Sequence, residues 1–189
     1  MNAENFQLKR KAYKNMLWLG IFSIIMVFSG LTSAYVIRAQ GGNWLKFQLP
    51  DIFYISSVVI LLSSGSIFLA QKYIQQNNIK QTFIFLLITF IFGITFTILQ
   101  IQGWKELYKN GIVYAGKYSN PSGSFLYLLT ALHLAHLAGG LIGLMVTSIK
   151  TLLKKYTPEN YLGIELISIY WHFLDALWIF LFLFLLFIR

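Results

Sequence analysis

Long apolar runs separated by short polar segments dominate the pattern of this chain. Each run is near the roughly 20 residues that a helix needs to cross a lipid bilayer. The five runs are residues 16–37, 52–73, 82–103, 125–149 and 161–188. Pro50, Pro121 and Pro158 all lie between runs, so proline interrupts none of them. The pattern predicts an all-α, polytopic membrane protein, a bundle of five transmembrane helices in a single membrane domain over residues 1–189.

Composition agrees with this class and excludes several chemistries. The chain has 189 residues, of which 57% are hydrophobic and 11% charged, too few charges to cover a soluble domain of this size. It has no cysteine, which excludes disulfides, thiolate-bound zinc and iron–sulfur clusters. The formal net charge of +9 is scattered among the linkers, so we expect no nucleic-acid partner. Anionic lipid headgroups explain these charges more simply.

The distribution of basic residues predicts the orientation of the chain. One side of the predicted membrane carries Lys9, Arg10, Lys11, Lys14, Lys72, Lys80, Lys150, Lys154 and Lys155. The other side carries Arg38, Lys46, Lys105, Lys109, Lys117 and Arg189. Because cytoplasmic loops are enriched in lysine and arginine, we expect the N-terminus inside and the C-terminus outside.

The longest linker, Trp104 to Ser124, should therefore lie outside. Its Asn120-Pro121 pair is typical of a turn. Aromatic side chains suit the depth of the lipid headgroups. The linker offers four of them, Trp104, Tyr108, Tyr114 and Tyr118.

Polar side chains recur at helical spacing inside the last run. Glu165, Ser168, His172 and Asp175 follow one another at steps of three, four and three, which places them on one helix face. Ionisable groups inside a membrane are costly and usually face the protein interior with a partner. This face therefore predicts a contact with another helix.

The fourth run carries a matching face. It consists of His133, His136, Gly140, Gly143 and Thr147. Glycines on such a face let a neighbouring helix approach closely. Counting about 1.5 Å per residue from the linker that joins runs four and five, His136 and Asp175 both lie roughly 20 Å deep. We therefore expect Asp175 to pair with His136 or His133, and Glu165 to find a different partner.

Several roles are open for these polar groups. A buried network that fixes helix register is the favoured interpretation; a contact with a lipid headgroup or a proton path comes second. Haem or metal ligation fits the spacing less well, because the glycines make the interface narrow. For this reason we expect no metal site. No serine or threonine in an exposed elbow accompanies the histidines, so we also expect no catalytic residue.

Two segments resemble subunit III of the haem-copper respiratory oxidases. The stretch "GIELISIYWHFLDALWIFLFLF" resembles the family's last helix, with an acidic residue, then Tyr-Trp-His-Phe, then Asp and Trp. The stretch "ALHLAHLAGGLIGL" resembles the penultimate helix. The resemblance extends to "SGLTSAYVIR" in the first run and covers nearly the whole chain, in the five-helix form of bacterial oxidases. The matching positions are His133, His136, Gly139 or Gly140, Glu165, Tyr170, Trp171, His172, Phe173, Asp175 and Trp178.

The resemblance implies an accessory role in the bacterial plasma membrane. It implies that this chain carries no haem or copper and packs against the catalytic subunit I and other oxidase subunits, which hold those cofactors. It also implies a bound phospholipid, for which Arg38, His133 and His136 are the candidate ligands. The small residues of the fourth run are expected at helix contacts, namely Gly139, Gly140 and Gly143.

The expected function is to support stable turnover of a proton-pumping oxidase that reduces O2 to water, most simply a cytochrome c oxidase. Many family members carry a carboxylate midway along the first helix, but no Asp or Glu occurs between Met16 and Ile37 here. The alternatives are subunit III of a quinol oxidase, a nitric oxide reductase accessory subunit and, in a different class, a small proton or ion transporter. Such a transporter would use Glu165, His172, Asp175 and His136 as a relay, but transporters commonly have broken helices or paired repeats, which this pattern lacks.

Overall fold

Five long helices make up the part of the chain that the computed structural model describes, residues 3–116 and 119–188, which contains no strand. They are α1 (Ala3–Gln40), α2 (Ile52–Gln75), α3 (Ile79–Lys109), α4 (Pro121–Leu152) and α5 (Leu162–Phe187). Each is long and apolar enough to cross a membrane, which confirms the predicted fold class. Lys117, Tyr118 and Arg189, used above, lie outside the described residues.

Helices α1 to α4 extend beyond the apolar runs that predicted them, whereas α5 is one residue shorter than its run at each end. The largest differences are at α1, which begins at Ala3 instead of residue 16, and at α3, which ends at Lys109 instead of residue 103. Hydropathy marks the part of a helix that lies in lipid, whereas lysine, arginine and glutamine continue a helix readily in water. The 38 residues of α1 span about 57 Å. That length exceeds the roughly 30 Å hydrocarbon layer, so part of α1 projects from it.

Asn120 fixes the start of α4 and ties it to the α1–α2 linker. Its Oδ1 accepts hydrogen bonds from the backbone N–H of Ser122 at 3.1 Å and of Leu45 at 3.2 Å. Its Nδ2 donates to the carbonyl of Asn43 at 3.0 Å. Pro121 occupies the first turn, where a missing N–H costs nothing. This side chain therefore holds two linkers together at the end of the molecule opposite the N-terminus of α1.

Helices α2 to α5 form a closed arrangement that we call the four-helix ring. Each packs on the next along the chain, and α2 also packs on α5. Within the described residues, α1 packs on α4 and α5 alone and so lies outside this ring. Much of its surface is exposed and apolar, as at Trp18, Leu19, Phe22 and Met26. Such a surface suits lipid or a neighbouring subunit.

A carboxylate near the start of α5 holds the N-terminal part of α1. Glu165 Oε2 lies 2.8 Å from Arg10 Nη2, and its Oε1 lies 2.5 Å from Lys14 Nζ. The Glu165 side chain is 14% exposed and those of Arg10 and Lys14 are 26% and 31% exposed, so solvent screens the pairs only in part. As expected, Glu165 has partners other than the histidines.

Replacement of this carboxylate should loosen the N-terminal part of α1. In Glu165→Gln we expect a loss of about 1–3 kcal/mol of unfolding free energy, because two charge-assisted hydrogen bonds are weakened. Trypsin should also cut faster around Arg10 and Lys14. Thermal unfolding in detergent and timed proteolysis measure the two effects.

Glu159→Gln is the matched control, because that carboxylate is exposed in the α4–α5 linker and makes only a 3.4 Å hydrogen bond with Thr157. Equal proteolysis of Glu165→Gln and the control would show that the ion pairs do not hold α1.

Candidate functional site

Trp171 lies where all the helices of the four-helix ring meet. Its indole is fully buried, and Nε1 donates a hydrogen bond to Ser63 Oγ of α2 at 2.9 Å. Its ring lies against Gly93 of α3, where an added Cβ would come within 2.7 Å of the indole. On the other side it lies against Gly140 of α4, with a corresponding distance of 3.2 Å. One side chain of α5 therefore reaches the other three helices.

Trp178 repeats this arrangement two turns further along α5. Its Nε1 donates to Ser57 Oγ of α2 at 3.0 Å. Its ring contacts Phe96 of α3 and His133 of α4, with centroid distances of 5.0 Å and 5.3 Å. Each of the two tryptophans thus reaches α2, α3 and α4, and the two do so at different levels of the membrane.

The polar face of α5 is directed at α2. Ser64 Oγ and His172 Nδ1 are hydrogen-bonded at 2.6 Å, and Ser168 Oγ donates to Gln71 Oε1 at 3.1 Å. Together with the two indole–serine bonds, these contacts form four cross-links between α2 and α5. We call this set the α2–α5 seam.

The predicted pairing of Asp175 with His133 or His136 is wrong. Asp175 is buried, but neither carboxylate oxygen has a hydrogen-bond partner among the described residues. The same holds for both ring nitrogens of His133, which is fully buried. His136 Nδ1 instead donates to the carbonyl of Leu132 in its own helix at 2.8 Å. The depth estimate matched these residues along the membrane, but the seam directs the polar face of α5 toward α2 and away from α4.

The small residues of α4 differ in their surroundings. An added Cβ at Gly143 would come within 2.7 Å of Ile167, so this glycine, like Gly140, lies against α5. Gly139 is more open, with only Tyr170 Oη near its Cβ position, at 3.9 Å. That hydroxyl donates to the carbonyl of His136 at 3.1 Å, which joins α5 to α4.

The three candidate lipid ligands do not form one site. His133 is fully buried and offers no surface to a lipid. His136 lies beside Phe28 of α1, with ring centroids 5.9 Å apart, whereas Arg38 is ten residues further along that helix. Ten residues correspond to about 15 Å. Arg38 is exposed and borders an apolar pocket of about 600 Å³ between the end of α1 and the start of α4.

The histidine, aspartate and glutamate side chains do not form a metal site within the described residues. No three histidine, aspartate or glutamate side chains come together there. Each imidazole has different surroundings: aromatic rings for His133, a backbone carbonyl for His136 and a serine hydroxyl for His172. The geometry therefore points to packing as the role of these histidines.

Comparison with known proteins agrees with the resemblance that the sequences of α4 and α5 show. The family model for cytochrome c oxidase subunit III matches residues 8–188. The chain belongs to this family. The match includes every residue of the α2–α5 seam and both tryptophans that close the four-helix ring.

Relatives in the family are named as subunits of two kinds of oxidase, cytochrome c oxidase and ubiquinol oxidase. A "probable cytochrome c oxidase subunit 3" of Mycobacterium tuberculosis is 33% identical over 179 residues, 92% of this chain and 86% of the relative. The "cytochrome bo(3) ubiquinol oxidase subunit 3" of Buchnera aphidicola is 32% identical over 175 residues, 89% of this chain and 82% of the relative. The "cytochrome c oxidase subunit 3" of Papio hamadryas is 33% identical over 136 residues, 70% of this chain and 49% of the relative.

Sequence reasoning missed the serines that complete the seam. It gave α2 no polar face, although Ser57, Ser64 and Gln71 recur at steps of seven and Ser63 directly precedes Ser64. Seven residues are nearly two helical turns, so this recurrence indicates one face. The missed residues are Ser57, Ser63, Ser64 and Gln71.

Loss of an indole partner should destabilise the fold. In Ser63→Ala the buried N–H of Trp171 loses its acceptor, and we expect a loss of about 1–3 kcal/mol of unfolding free energy. Ser57→Ala should act similarly on Trp178. Ser23→Ala is the control, because Ser23 is exposed on α1 and bonds only the carbonyl of Leu19. Unfolding in mixed micelles checks this, and equal stabilities of the three variants would contradict the role of the seam.

A methyl group at Gly93 should have a comparable effect for a steric reason. Gly93→Ala should lower the free energy of unfolding by about 1–3 kcal/mol, because the rigid indole of Trp171 has no room to shift. Gly65→Ala is the matched control, since nothing lies within 4 Å of its Cβ position in α2. The control should be neutral or slightly stabilising, because alanine favours helix. The unfolding midpoints of the two variants measure this difference. A neutral Gly93→Ala would show that the contact between Gly93 and Trp171 is loose.

Proposed function

We propose that this chain is the non-redox accessory subunit of a proton-pumping haem-copper terminal oxidase that reduces O2 to water. The observation that carries the proposal is the match to the subunit III family over residues 8–188. In this role the chain supports the stability and sustained turnover of the catalytic subunit I. Haem and copper belong to partner subunits, and this chain takes part in no covalent step.

The geometry supports a packing role for the polar side chains. The α2–α5 seam uses its polar groups as cross-links between two helices, and the outward surface of α1 is apolar. A bundle built in this way binds the polar groups of the seam internally and presents an apolar surface to other membrane helices. The family signature on α5 then serves to fix the shape that subunit I contacts.

Cytochrome c is the proposed electron donor of the complex. The Mycobacterium tuberculosis relative is named as a subunit of a cytochrome c oxidase, which supports this choice. The Buchnera relative is named as a subunit of a ubiquinol oxidase, so a quinol oxidase is the alternative. A role as an accessory subunit of a nitric oxide reductase is a further alternative for the same fold.

The proposed location is the bacterial plasma membrane, with the N-terminus in the cytoplasm and the C-terminus on the periplasmic side. Residues 1–189 act there as one membrane domain. A bound phospholipid is part of the proposal, and its phosphate is placed at Arg38. The exposed guanidinium of Arg38 and the apolar pocket beside it support this placement.

A proton or ion transporter is not favoured by any observation on the described residues. The helices α1 to α5 are continuous, whereas transporters bind ions at broken helices near the midplane. The relay residues are also dispersed. Glu165 binds α1, His172 binds α2 and His136 bonds within α4.

Purification of the tagged chain from its native membrane tests the proposal. In mild detergent we expect a haem-copper catalytic subunit in fixed proportion, seen by mass spectrometry and by the haem absorption spectrum. Deletion of the chain should leave those haems in place but shorten the time for which the oxidase keeps its activity during turnover. The untagged strain is the control for unspecific recovery. A chain recovered alone or only as a homo-oligomer would overturn the accessory role.

A further inference from the structure

An apolar pocket of about 830 Å³ opens on the surface between the end of α3 and the start of α4. It shares Ser124 with the Arg38 pocket, but its other lining residues belong to α3, the α3–α4 linker and α4, whereas the Arg38 pocket lies between the end of α1 and the start of α4. Its polarity changes with depth. Ile101 and Leu128 line its aliphatic part, whereas Trp104, Lys105, Tyr108 and Lys109 line the part toward the end of α3.

We propose that this pocket binds one anionic phospholipid, with its phosphate at Lys105 and Lys109 and an acyl chain along the groove between α3 and α4. Along α3 the aliphatic Ile101 comes first, and the aromatic Trp104 and Tyr108 then alternate with Lys105 and Lys109. Ile101 lies roughly 6 Å below Lys105 and 12 Å below Lys109 along the helix axis. The aliphatic part of the wall therefore suits an acyl chain, and the mixed aromatic and basic part toward the end of α3 suits the glycerol and phosphate of a lipid headgroup.

Hydrogen bonds hold the aromatic floor of the pocket in place. Trp104 Nε1 donates to Thr130 Oγ1 at 3.0 Å, which ties α3 to α4. Tyr127 Oη lies 3.1 Å from the carbonyl of Trp104 and 3.0 Å from that of Ile112. The pocket is therefore formed in advance and requires little ordering when a ligand binds.

The basic rim favours an anion over a neutral ligand or a protein helix. Lys105 and Lys109 are exposed, one turn apart, and neither has a salt bridge among the described residues. Glu106 lies with both lysines around a neighbouring pocket that includes Ile52 and Gln102, away from the apolar groove. A partner helix seated here would bury two ammonium groups that this chain does not neutralise, whereas a lipid phosphate supplies the opposite charge.

The test uses the purified full chain with whatever subunits accompany it. The protein is freed of lipid and titrated with phosphatidylglycerol or phosphatidylcholine, and bound lipid is counted by native mass spectrometry. At about five-fold in affinity per lysine, K105Q/K109Q should bind one phosphatidylglycerol about 25-fold more weakly. K150Q/K154Q is the matched control, with two exposed lysines at the same spacing at the other end of α4.

A second measurement places the lipid in the groove. Phosphatidylglycerol with brominated acyl chains should quench the fluorescence of Trp104, and K105Q/K109Q should lose the part of the quenching that Trp104→Phe also removes. Equal binding of phosphatidylcholine, an equal loss in K150Q/K154Q, or a partner subunit that blocks the site in the intact complex would overturn the proposal. Lipid binding can be measured whether or not a catalytic subunit co-purifies, so failure of this test is distinguishable from failure of the oxidase role.

Discussion

The structure depends on finding acceptors for two indole N–H groups inside a membrane bundle. Lipid offers no acceptor, so a buried N–H can be satisfied only by the protein itself. Trp171 and Trp178 find theirs in Ser63 and Ser57. Because the two bonds lie at different levels, they fix both the register and the rotation of α2 against α5. The rings then determine where α3 and α4 can lie, since an indole in the centre leaves room for a neighbouring backbone only at a residue without a side chain, as at Gly93.

Helix α1 depends on this arrangement without taking part in it. At one end, charge holds it to α5 through Glu165. At the other end, Tyr35 is buried among aromatic rings of the linker, α4 and α5, with centroid distances of 4.7 Å to Trp44, 5.8 Å to Phe125 and 5.1 Å to Phe184. Between the ends, Ile21 and Phe28 are also buried, so α1 makes its contacts along one side. They leave much of its apolar surface free for lipid or for another subunit.

The sequence predicted the helices well and their contacts less well. Hydropathy located all five spans because lipid imposes one simple demand on every residue it touches. It misplaced the start of α1, because charged helix-forming residues after Ala3 carry the helix into water. Chain adjacency suggested that Asp175 faces α4, but neighbours along the chain need not share their polar faces. Serine is short and nearly neutral in hydropathy, so a search for ionisable partners did not find the acceptors on α2, such as Ser63.

The direction of the polar contacts explains why this seam suits a structural subunit. Each hydrogen bond of the α2–α5 seam joins one side chain of α2 to one of α5, and within the described residues none links one such pair to the next. The contacts therefore run parallel to the membrane plane, from one helix to the next, and not along the membrane normal. Cross-links in that direction resist sliding and rotation of helices, which is the requirement for a subunit whose outer surface must keep a fixed shape against its partners. His172 and its family-signature neighbours thus act through the geometry they impose on the bundle.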